Sequence, residues 1–245
     1  MDLSIIVPTY NEEKRIHLFL PKLLEFSRNN LKDYEILLVN DGSTDKTIEV
    51  LKELIKKDKK TKIISYEKNQ GKGYAIREGV FSALGNKVMF IDADGSIMPD
   101  QIPSLVKELE DYDCVVGNRK DKNSKVTTSR YRAFTQILFN SIVRALFWTG
   151  IDDNLCGFKG FKKETARELF KEMHDYGWVF DVELFYKIKK KGYSLKRIPL
   201  VWTHVGDSKM KLTDPIWMLV KLLIILKLRF PTLFEKNGKN RKSEI

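Results

Sequence analysis

The sequence is poor in the residues that build disulfide frameworks and zinc centres. Its 245 residues include two cysteines, Cys114 and Cys156, and three histidines. Two cysteines are too few for a disulfide framework, so a reducing compartment is the simplest interpretation. No cluster of His and Cys has the spacing of a zinc site. The sequence therefore excludes a disulfide-rich module and a structural zinc protein.

Long apolar runs are missing as well. The run over residues 3–8 follows no basic segment and is too short for a signal peptide. The most apolar stretch, residues 216–230, is interrupted by Lys221, Lys227 and Arg229. A spanning helix needs about 20 mostly apolar residues. We therefore expect no signal peptide and no transmembrane helix, and we predict a peripheral protein on the cytoplasmic face of a membrane.

Acidic residues are fewer than basic ones. The 44 Lys and Arg against 33 Asp and Glu give a formal charge of +11, which predicts an anionic partner: nucleic acid, a phospholipid surface or a phosphorylated substrate. No nucleic-acid motif is recognisable, and the acidic strand ends would repel phosphates, so we expect no nucleic acid. We predict that the tail, residues 213–245, contains an interfacial helix at a membrane surface, with packing against the domain as the alternative.

The first half of the chain alternates short β-branched runs with helical patterns. The runs lack polar alternation, which is typical of strands covered on both faces. Strands are predicted over residues 3–8, 35–40, 62–66, 87–92 and 113–117, and helices over residues 13–28, 44–57, 72–84 and 101–109. In the second half we predict a polar loop (120–128), helices (131–149, 165–173 and 180–191), a turn or short strand (157–162) and an added strand (195–202). This alternation predicts an α/β fold with a mostly parallel sheet.

Two carboxylates follow the apolar strand over residues 87–92. Asp92 and Asp94 supply two oxygen donors, which suit Mg²⁺ or Mn²⁺ carrying a diphosphate. The alternative is a plain capping turn. Lys72 lies between two glycines after the third strand and is a candidate to neutralise phosphate. The GxxxxGK[ST] and GxGxxG motifs are absent, which argues against a P-loop NTPase and an NAD enzyme.

The first two strands also end in polar residues. Tyr10 is a candidate to stack on a base, and Glu12 is a candidate to accept a hydrogen bond from a ribose or base. Asp41 is a candidate partner for a base edge. Capping of the following helices is the alternative for each segment. Because ligands of open parallel sheets sit outside the carboxyl ends of the strands, these side chains are expected to meet there.

Together these segments resemble a known family. The four that resemble family 2 glycosyltransferases are residues 5–12 (IIVPTYNE), 39–45 (VNDGSTD), 71–73 (GKG) and 92–94 (DAD). Three later segments resemble its polyprenyl-phosphate glycosyltransferases: residues 153–159 (DNLCGFK), 178–183 (WVFDVE) and 202–209 (WTHVGDSK). Residues 92–95 and 180–184 look nearest to dolichyl-phosphate β-glucosyltransferases. The resemblance runs in order over residues 3–212.

The resemblance implies a GT-A, Rossmann-like fold, a divalent metal and inversion at the anomeric carbon. It implies a catalytic domain over residues 1–212, with a nucleotide-sugar and metal half (1–119) and an acceptor half (120–212). The residues it assigns to the nucleotide sugar are Pro8, Tyr10, Glu12, Asp41, Lys72, Asp92 and Ala93, and those it assigns to Mg²⁺ or Mn²⁺ are Asp92, Asp94 and Ser96. The catalytic residues would be Asp94, Asp181, Arg119 and Lys209, and the acceptor-phosphate residues Arg130 and Arg132.

Two departures from the dolichyl-phosphate mannose synthases bear on the donor. Those relatives have an Arg where this chain has Thr203, which argues against GDP-mannose and favours a UDP-sugar. They have a Gln at the position of Ser96, and the serine is a shorter metal ligand than that Gln. The expected reaction is transfer of glucose or another hexose from a UDP-sugar to dolichyl or another polyprenyl phosphate. The alternatives are GDP-mannose as donor, or a glycan hydroxyl as acceptor with Asp181 or Glu183 as base.

Overall fold

The computed structural model describes residues 1–127, 141, 143, 153, 156–177, 179–205 and 222. Nine strands lie in this part of the chain: β1 Leu3–Thr9, β2 Tyr34–Asp41, β3 Thr61–Tyr66, β4 Lys87–Ile91, β5 Cys114–Gly117, β6 Lys125–Thr127, β7 Phe158–Lys162, β8 Leu195–Ile198 and β9 Val201–Thr203. Its helices of more than three residues are α1 Ile16–Asn30, α2 Thr47–Ile55, α3 Lys72–Ser82, α4 Ile102–Glu108, α5 Lys163–Lys171 and α6 Phe180–Lys191. A 3₁₀ turn, Pro99–Gln101, precedes α4.

The main sheet has seven strands in the order β3-β2-β1-β4-β7-β5-β8. All neighbours pair in parallel except β7, which runs antiparallel to both β4 and β5. The predicted α/β class with a mostly parallel sheet is therefore confirmed. The reversal at β7 is the feature that the alternation of strands and helices did not predict.

The segment after β5 differs from the expectation. The predicted polar loop over residues 120–128 contains β6, which pairs in parallel with β9 to form a second sheet of two strands. The single strand expected over residues 195–202 is two strands, of which only β8 joins the main sheet. Pro199 lies between them, and proline has no N–H to donate to a ladder, which explains the break.

Two helices begin later than predicted because the residues before them form turns. The Arg15 and Ile16 N–H groups both donate to the Glu12 carbonyl at 2.9 Å, so α1 starts after this turn. The Asp45 carboxylate accepts the Thr47 N–H at 3.0 Å, and this turn precedes α2. Pro21 lies inside α1 without ending it. The predicted helix over residues 131–149 and the tail lie outside the described residues, apart from residues 141, 143 and 222.

The core has two layers, one on each face of the main sheet. Helices α1, α2 and α4 cover one face and bury residues such as Phe19 and Leu105. Helices α3, α5 and α6 cover the other face, where Phe90, Phe161 and Phe180 pack together. A sheet covered on both faces explains the apolar runs without alternation. It also leaves the carboxyl ends of the strands as the open edge for a site.

A buried carboxylate fastens the amino ends of the strands, away from that edge. Glu35 on β2 accepts the Ser4 hydroxyl at 2.8 Å and the Leu84 N–H at 2.7 Å. Ser4 in turn accepts the Gly85 N–H at 2.9 Å. Glu35 therefore holds the connection between α3 and β4 against the sheet.

Replacing Glu35 by Leu should destabilise the fold by about 3 kcal/mol, because buried donors lose their acceptor. Glu35→Gln keeps an acceptor oxygen of the same shape and should cost about 1 kcal/mol. Urea unfolding of both variants measures the difference. Equal losses in the two variants would show that the accepted hydrogen bonds are not what Glu35 contributes.

Candidate active site

The carboxylates that follow β4 lie beside the lysine that begins α3. Lys72 Nζ is 2.6 Å from Asp92 Oδ1, and both side chains are partly exposed. Burial lowers the pKa of Lys72, but the charges of Asp92 and Asp181 outweigh burial and raise it, so Lys72 is a cation. Two segments that the sequence singled out separately therefore form one charged site at the carboxyl edge of the sheet.

Asp94 and Ser96 form the second part of this site. Asp94 Oδ1 accepts the Ser96 N–H at 2.9 Å. Burial and the neighbouring Asp92 charge raise the pKa of Asp94. The Ser96 hydroxyl is buried and has no hydrogen-bond partner among the described residues. Buried hydroxyls are normally satisfied, so this oxygen and two mutually repelling carboxylates fit a bound cation.

The oxygen-only donor set also suits the type of ion. Among the described residues, no three His, Cys, Asp or Glu side chains form a ready metal cage. Mg²⁺ and ions like it are usually held by one or two carboxylates together with substrate phosphates. Asp92, Asp94 and Ser96 fit that arrangement.

Asp41 holds the loop that carries Lys72. Its buried carboxylate accepts the Asn69 side-chain amide at 2.8 Å, the Gln70 N–H at 2.7 Å and the Gly71 N–H at 2.9 Å. Burial raises the pKa of Asp41, and the two backbone donors oppose the rise. The sequence predicted Asp41 as a partner for a base edge. The structure adds a loop-holding role, and the base contact stays a prediction.

A turn before α6 holds the same loop from the other side. The Gly73 N–H donates to the Tyr176 carbonyl at 2.8 Å. Gly71 has φ 103°, and a Cβ there would lie 2.3 Å from the Tyr176 carbonyl oxygen. Only glycine fits this close approach. Glu183, which is fully buried, accepts the His174 and Asp175 N–H groups at 2.8 and 3.0 Å and so fixes the turn.

Arg119 lies at the end of β5 in a bidentate pair with Asp153. Its Nε and Nη2 atoms are 2.8 and 2.6 Å from the two carboxylate oxygens. Burial raises the pKa of Asp153, but the Arg119 guanidinium outweighs burial and lowers it. The Arg119 guanidinium also lies 5.4 Å from the centre of the Trp202 ring. Arg119 is thus a fixed cation near the site, and its predicted phosphate contact stays a prediction.

Asp181, at the start of α6, is buried and paired with a lysine that the sequence analysis did not single out. Asp181 Oδ1 is 2.8 Å from Lys159 Nζ. Burial raises the pKa of Asp181, while Lys159 and Lys72 lower it. A charged residue between Phe158 and Phe161 is the signal that could have found Lys159, because a buried charge needs a partner.

The remaining predicted residues fall into two groups. Pro8 and Tyr10 lie at the end of β1, where Tyr10 is exposed, and Ala93 is buried between the two aspartates. The Glu12 carboxylate pairs with Arg15 at 2.8 Å. The predictions that lie outside the described residues are those for Arg130, Arg132 and Lys209.

Gly157 sets the position of the Asp92 carboxylate, and its replacement tests the site. A Cβ on Gly157 would lie 1.9 Å from Asp92 Oδ2, so Gly157→Ala must displace that carboxylate. We expect Mn²⁺-dependent UDP binding to weaken about tenfold or more in calorimetric titrations. Gly192→Ala is the matched control, because a Cβ there meets nothing within 4 Å and only the positive φ is strained. Unchanged binding in Gly157→Ala would contradict this assignment of the site.

The family assignment follows from the sequence. The sequence profile of glycosyl transferase family 2 matches residues 4–170. Human dolichyl-phosphate beta-glucosyltransferase is 34% identical over 249 positions, covering 94% of this chain and 76% of its own length. The Saccharomyces cerevisiae protein of the same name is 28% identical, covering 93% of this chain and 75% of its own length.

Solved structures share the fold. Glucosyl-3-phosphoglycerate synthase from Mycobacterium tuberculosis, in complex with Mn²⁺, UDP-glucose and phosphoglyceric acid, superposes with a TM-score of 0.71 at 19% identity, covering 93% of this chain and 79% of its own. Staphylococcus aureus TarS with UDP-GlcNAc gives a TM-score of 0.60 at 18% identity, covering 93% of this chain and 67% of its own. The fold is that of the GT-A glycosyltransferases. The chain belongs to glycosyl transferase family 2.

Proposed function

We propose that this glycosyltransferase moves one glucose from UDP-glucose to dolichyl or another polyprenyl phosphate, with inversion at the anomeric carbon. The observation that carries the proposal is the Lys72–Asp92 pair beside Asp94 and Ser96. This arrangement suits a diphosphate, because it offers both a cation and a place for a metal ion. It occurs in a chain that is 34% identical to human dolichyl-phosphate beta-glucosyltransferase.

The proposed cofactor is Mg²⁺ or Mn²⁺, held by Asp92, Asp94 and Ser96. When bound, such an ion stabilises negative charge on the diphosphate leaving group. Several structural neighbours were crystallised in complex with Mn²⁺ or Mg²⁺ together with UDP. Ser96 is shorter than the Gln that mannose synthases have at this position. Its buried hydroxyl has no hydrogen-bond partner in the described part of the chain and is suited to this role.

The residues of the chain account for the remaining chemistry. Lys72, paired with Asp92, is suited to stabilise the negative charge that develops on the leaving diphosphate. A lipid phosphate is substantially ionised near neutral pH, so its oxygen attacks the anomeric carbon without a general base. Asp181 is engaged by Lys159 and suits the binding of a sugar hydroxyl better than proton removal. Arg119, Lys209, Arg130 and Arg132 are the proposed cations for the donor and acceptor phosphates.

Nothing in this geometry requires a glycan hydroxyl as acceptor. That alternative needs Asp181 or Glu183 as a free base. Glu183 is fully buried and accepts two backbone N–H groups, and its carboxylate is 2.9 Å from Lys187 Nζ. A carboxylate so occupied is a poor base. The alternative donor is GDP-mannose. Thr203 stands where the mannose synthases have an Arg, which argues against this donor.

We further propose that the protein acts at the cytoplasmic surface of a membrane. No helix within the described part of the chain has the length and apolar character needed to cross a bilayer. The net charge of +11 favours an anionic surface, where each nearby Lys or Arg contributes about 1 kcal/mol.

The function is tested by a radiolabelled transfer assay with dolichyl phosphate, Mn²⁺ or Mg²⁺, and UDP-glucose, UDP-N-acetylglucosamine, UDP-galactose or GDP-mannose in turn. We expect label in the organic phase from UDP-glucose. Asp94→Asn should lower kcat about 100- to 1,000-fold. Asp100→Asn, an exposed aspartate in the following turn, is the control and should leave kcat within about twofold.

Label from GDP-mannose alone would overturn the donor assignment. Transfer only to a glycan hydroxyl, with donor binding intact, would overturn the acceptor assignment. Full activity of Asp94→Asn would show that the metal and diphosphate site is placed wrongly.

Membrane binding is tested by flotation with vesicles. We expect the protein to float with phosphatidylserine-containing vesicles at low salt, and not with neutral phosphatidylcholine vesicles, because the attraction is electrostatic. Reversing the charges of Lys221, Lys227 and Arg229 should reduce flotation if the tail is the contact. Equal flotation with neutral and anionic vesicles would contradict the electrostatic origin.

A further inference from the structure

Lys159 is a buried cation for which the proposed chemistry gives no direct role. Its side chain is fully buried, with Nζ 5.4 Å from the centre of the Phe90 ring and 5.2 Å from that of Phe185. Nζ donates to the Cys156 carbonyl at 2.5 Å and to Asp181 Oδ1 at 2.8 Å. Removing two charges from water is costly even when they pair, so the presence of a buried Lys159–Asp181 pair needs a reason.

The pairing of β7 with β4 places Lys159 close to the segment that carries Asp92. In the antiparallel pair of β7 and β4, Lys159 lies opposite Phe90. Two residues after Phe90 and two residues before Lys159, the Asp92 N–H donates to the Gly157 carbonyl at 3.2 Å. Residues directly opposite each other in neighbouring strands point to the same face of the sheet, so Lys159 and Phe90 project from one face. Helices α3 and α6 cover that face and supply Lys72 and Asp181.

Four charges of alternating sign therefore follow one another from the core to the site. Lys159 pairs with Asp181 at 2.8 Å, and Lys72 pairs with Asp92 at 2.6 Å. The two pairs are neighbours, because a Cβ on Gly73, next to Lys72, would lie 2.8 Å from the Cβ of Phe180, next to Asp181. Asp181 thus lies within electrostatic reach of two lysines, and Lys72 within reach of two aspartates.

We propose that Lys159 is a positioning residue for binding of the nucleotide diphosphate: by pairing with Asp181 it leaves Lys72 on Asp92, at the diphosphate. The inference rests on the proposed function only in taking a nucleotide diphosphate as the ligand. Without Lys159, Lys72 is the cation among the described residues that still acts on the buried Asp181 carboxylate. Asp181 then competes with Asp92 for Lys72, and an uncompensated negative charge repels the diphosphate.

The experiment measures Mn²⁺-dependent UDP binding by calorimetry in the full chain. UDP lacks the sugar, so a contact between Asp181 and a sugar hydroxyl does not affect the result. Lys159→Met should weaken UDP binding about tenfold. Lys159→Met/Asp181→Asn should recover affinity to within about threefold of the wild type, because the neutral amide no longer competes for Lys72. Lys159→Arg keeps the charge and should also stay within about threefold.

The control for packing is Phe185→Leu. This residue is buried on α6 beside Lys159 and carries no charge. The substitution should lower the melting temperature through lost packing but leave UDP affinity within about twofold. A tenfold loss in this control would show that packing, not charge, couples Lys159 to the site, and would overturn the proposal.

Two further results would overturn it: a folded Lys159→Met that binds UDP like the wild type, or a double variant that binds as weakly as Lys159→Met. If Lys159→Met does not fold, the double variant decides, since it contains no unpaired buried carboxylate. Wild-type protein that binds UDP with Mn²⁺ but labels no lipid phosphate overturns only the acceptor assignment. Wild-type protein that does not bind UDP overturns both proposals.

Discussion

The contact between Lys72 and Asp92 is the interaction on which the arrangement of the site depends. It joins the first residue of a helix to the residue that follows the central strand β4. Neither partner holds its position alone. Asp41 and the Tyr176 carbonyl fix the loop that carries Lys72, and Gly157, which has no side chain, leaves room for the Asp92 carboxylate. Backbone contacts from three segments thus set the position of one ion pair.

The balance of charge at this edge explains why a protein with a net charge of +11 places carboxylates where an anion is to bind. Asp92 and Asp94 alone would repel a diphosphate. A metal ion would reverse the sign of that field, and Lys72 is the cation proposed to act on the same phosphates. Burial and the charge of Asp92 raise the pKa of Asp94, because two neighbouring carboxylates repel each other. This balance of charge supports the proposal that the ligand brings a cation with it.

The sequence predicted the parallel strands, the helices between them and the meeting of residues 72, 92 and 94, because apolar runs and strand-end residues depend on local pattern. It did not predict the reversal of β7 or the pairing of β6 with β9, which depend on contacts between residues far apart in sequence. Lys159 was missed for the same reason. A lysine in a strand is read as exposed unless its partner is known, and Asp181 lies 22 residues further along the chain.

The antiparallel strand β7 gives a physical reason for the residue types in the segment 153–159. Asp153 holds Arg119, the Cys156 carbonyl accepts from Lys159, Gly157 makes room for Asp92, and Lys159 neutralises Asp181. The contacts of Asp153, Gly157 and Lys159 reach three different parts of the chain, yet all come from seven consecutive positions. A parallel strand at this place would run in the opposite direction and would carry these residues to the amino edge of the sheet, away from Asp92. Because β7 is reversed, one short segment both makes room for the Asp92 carboxylate and pairs with the buried Asp181.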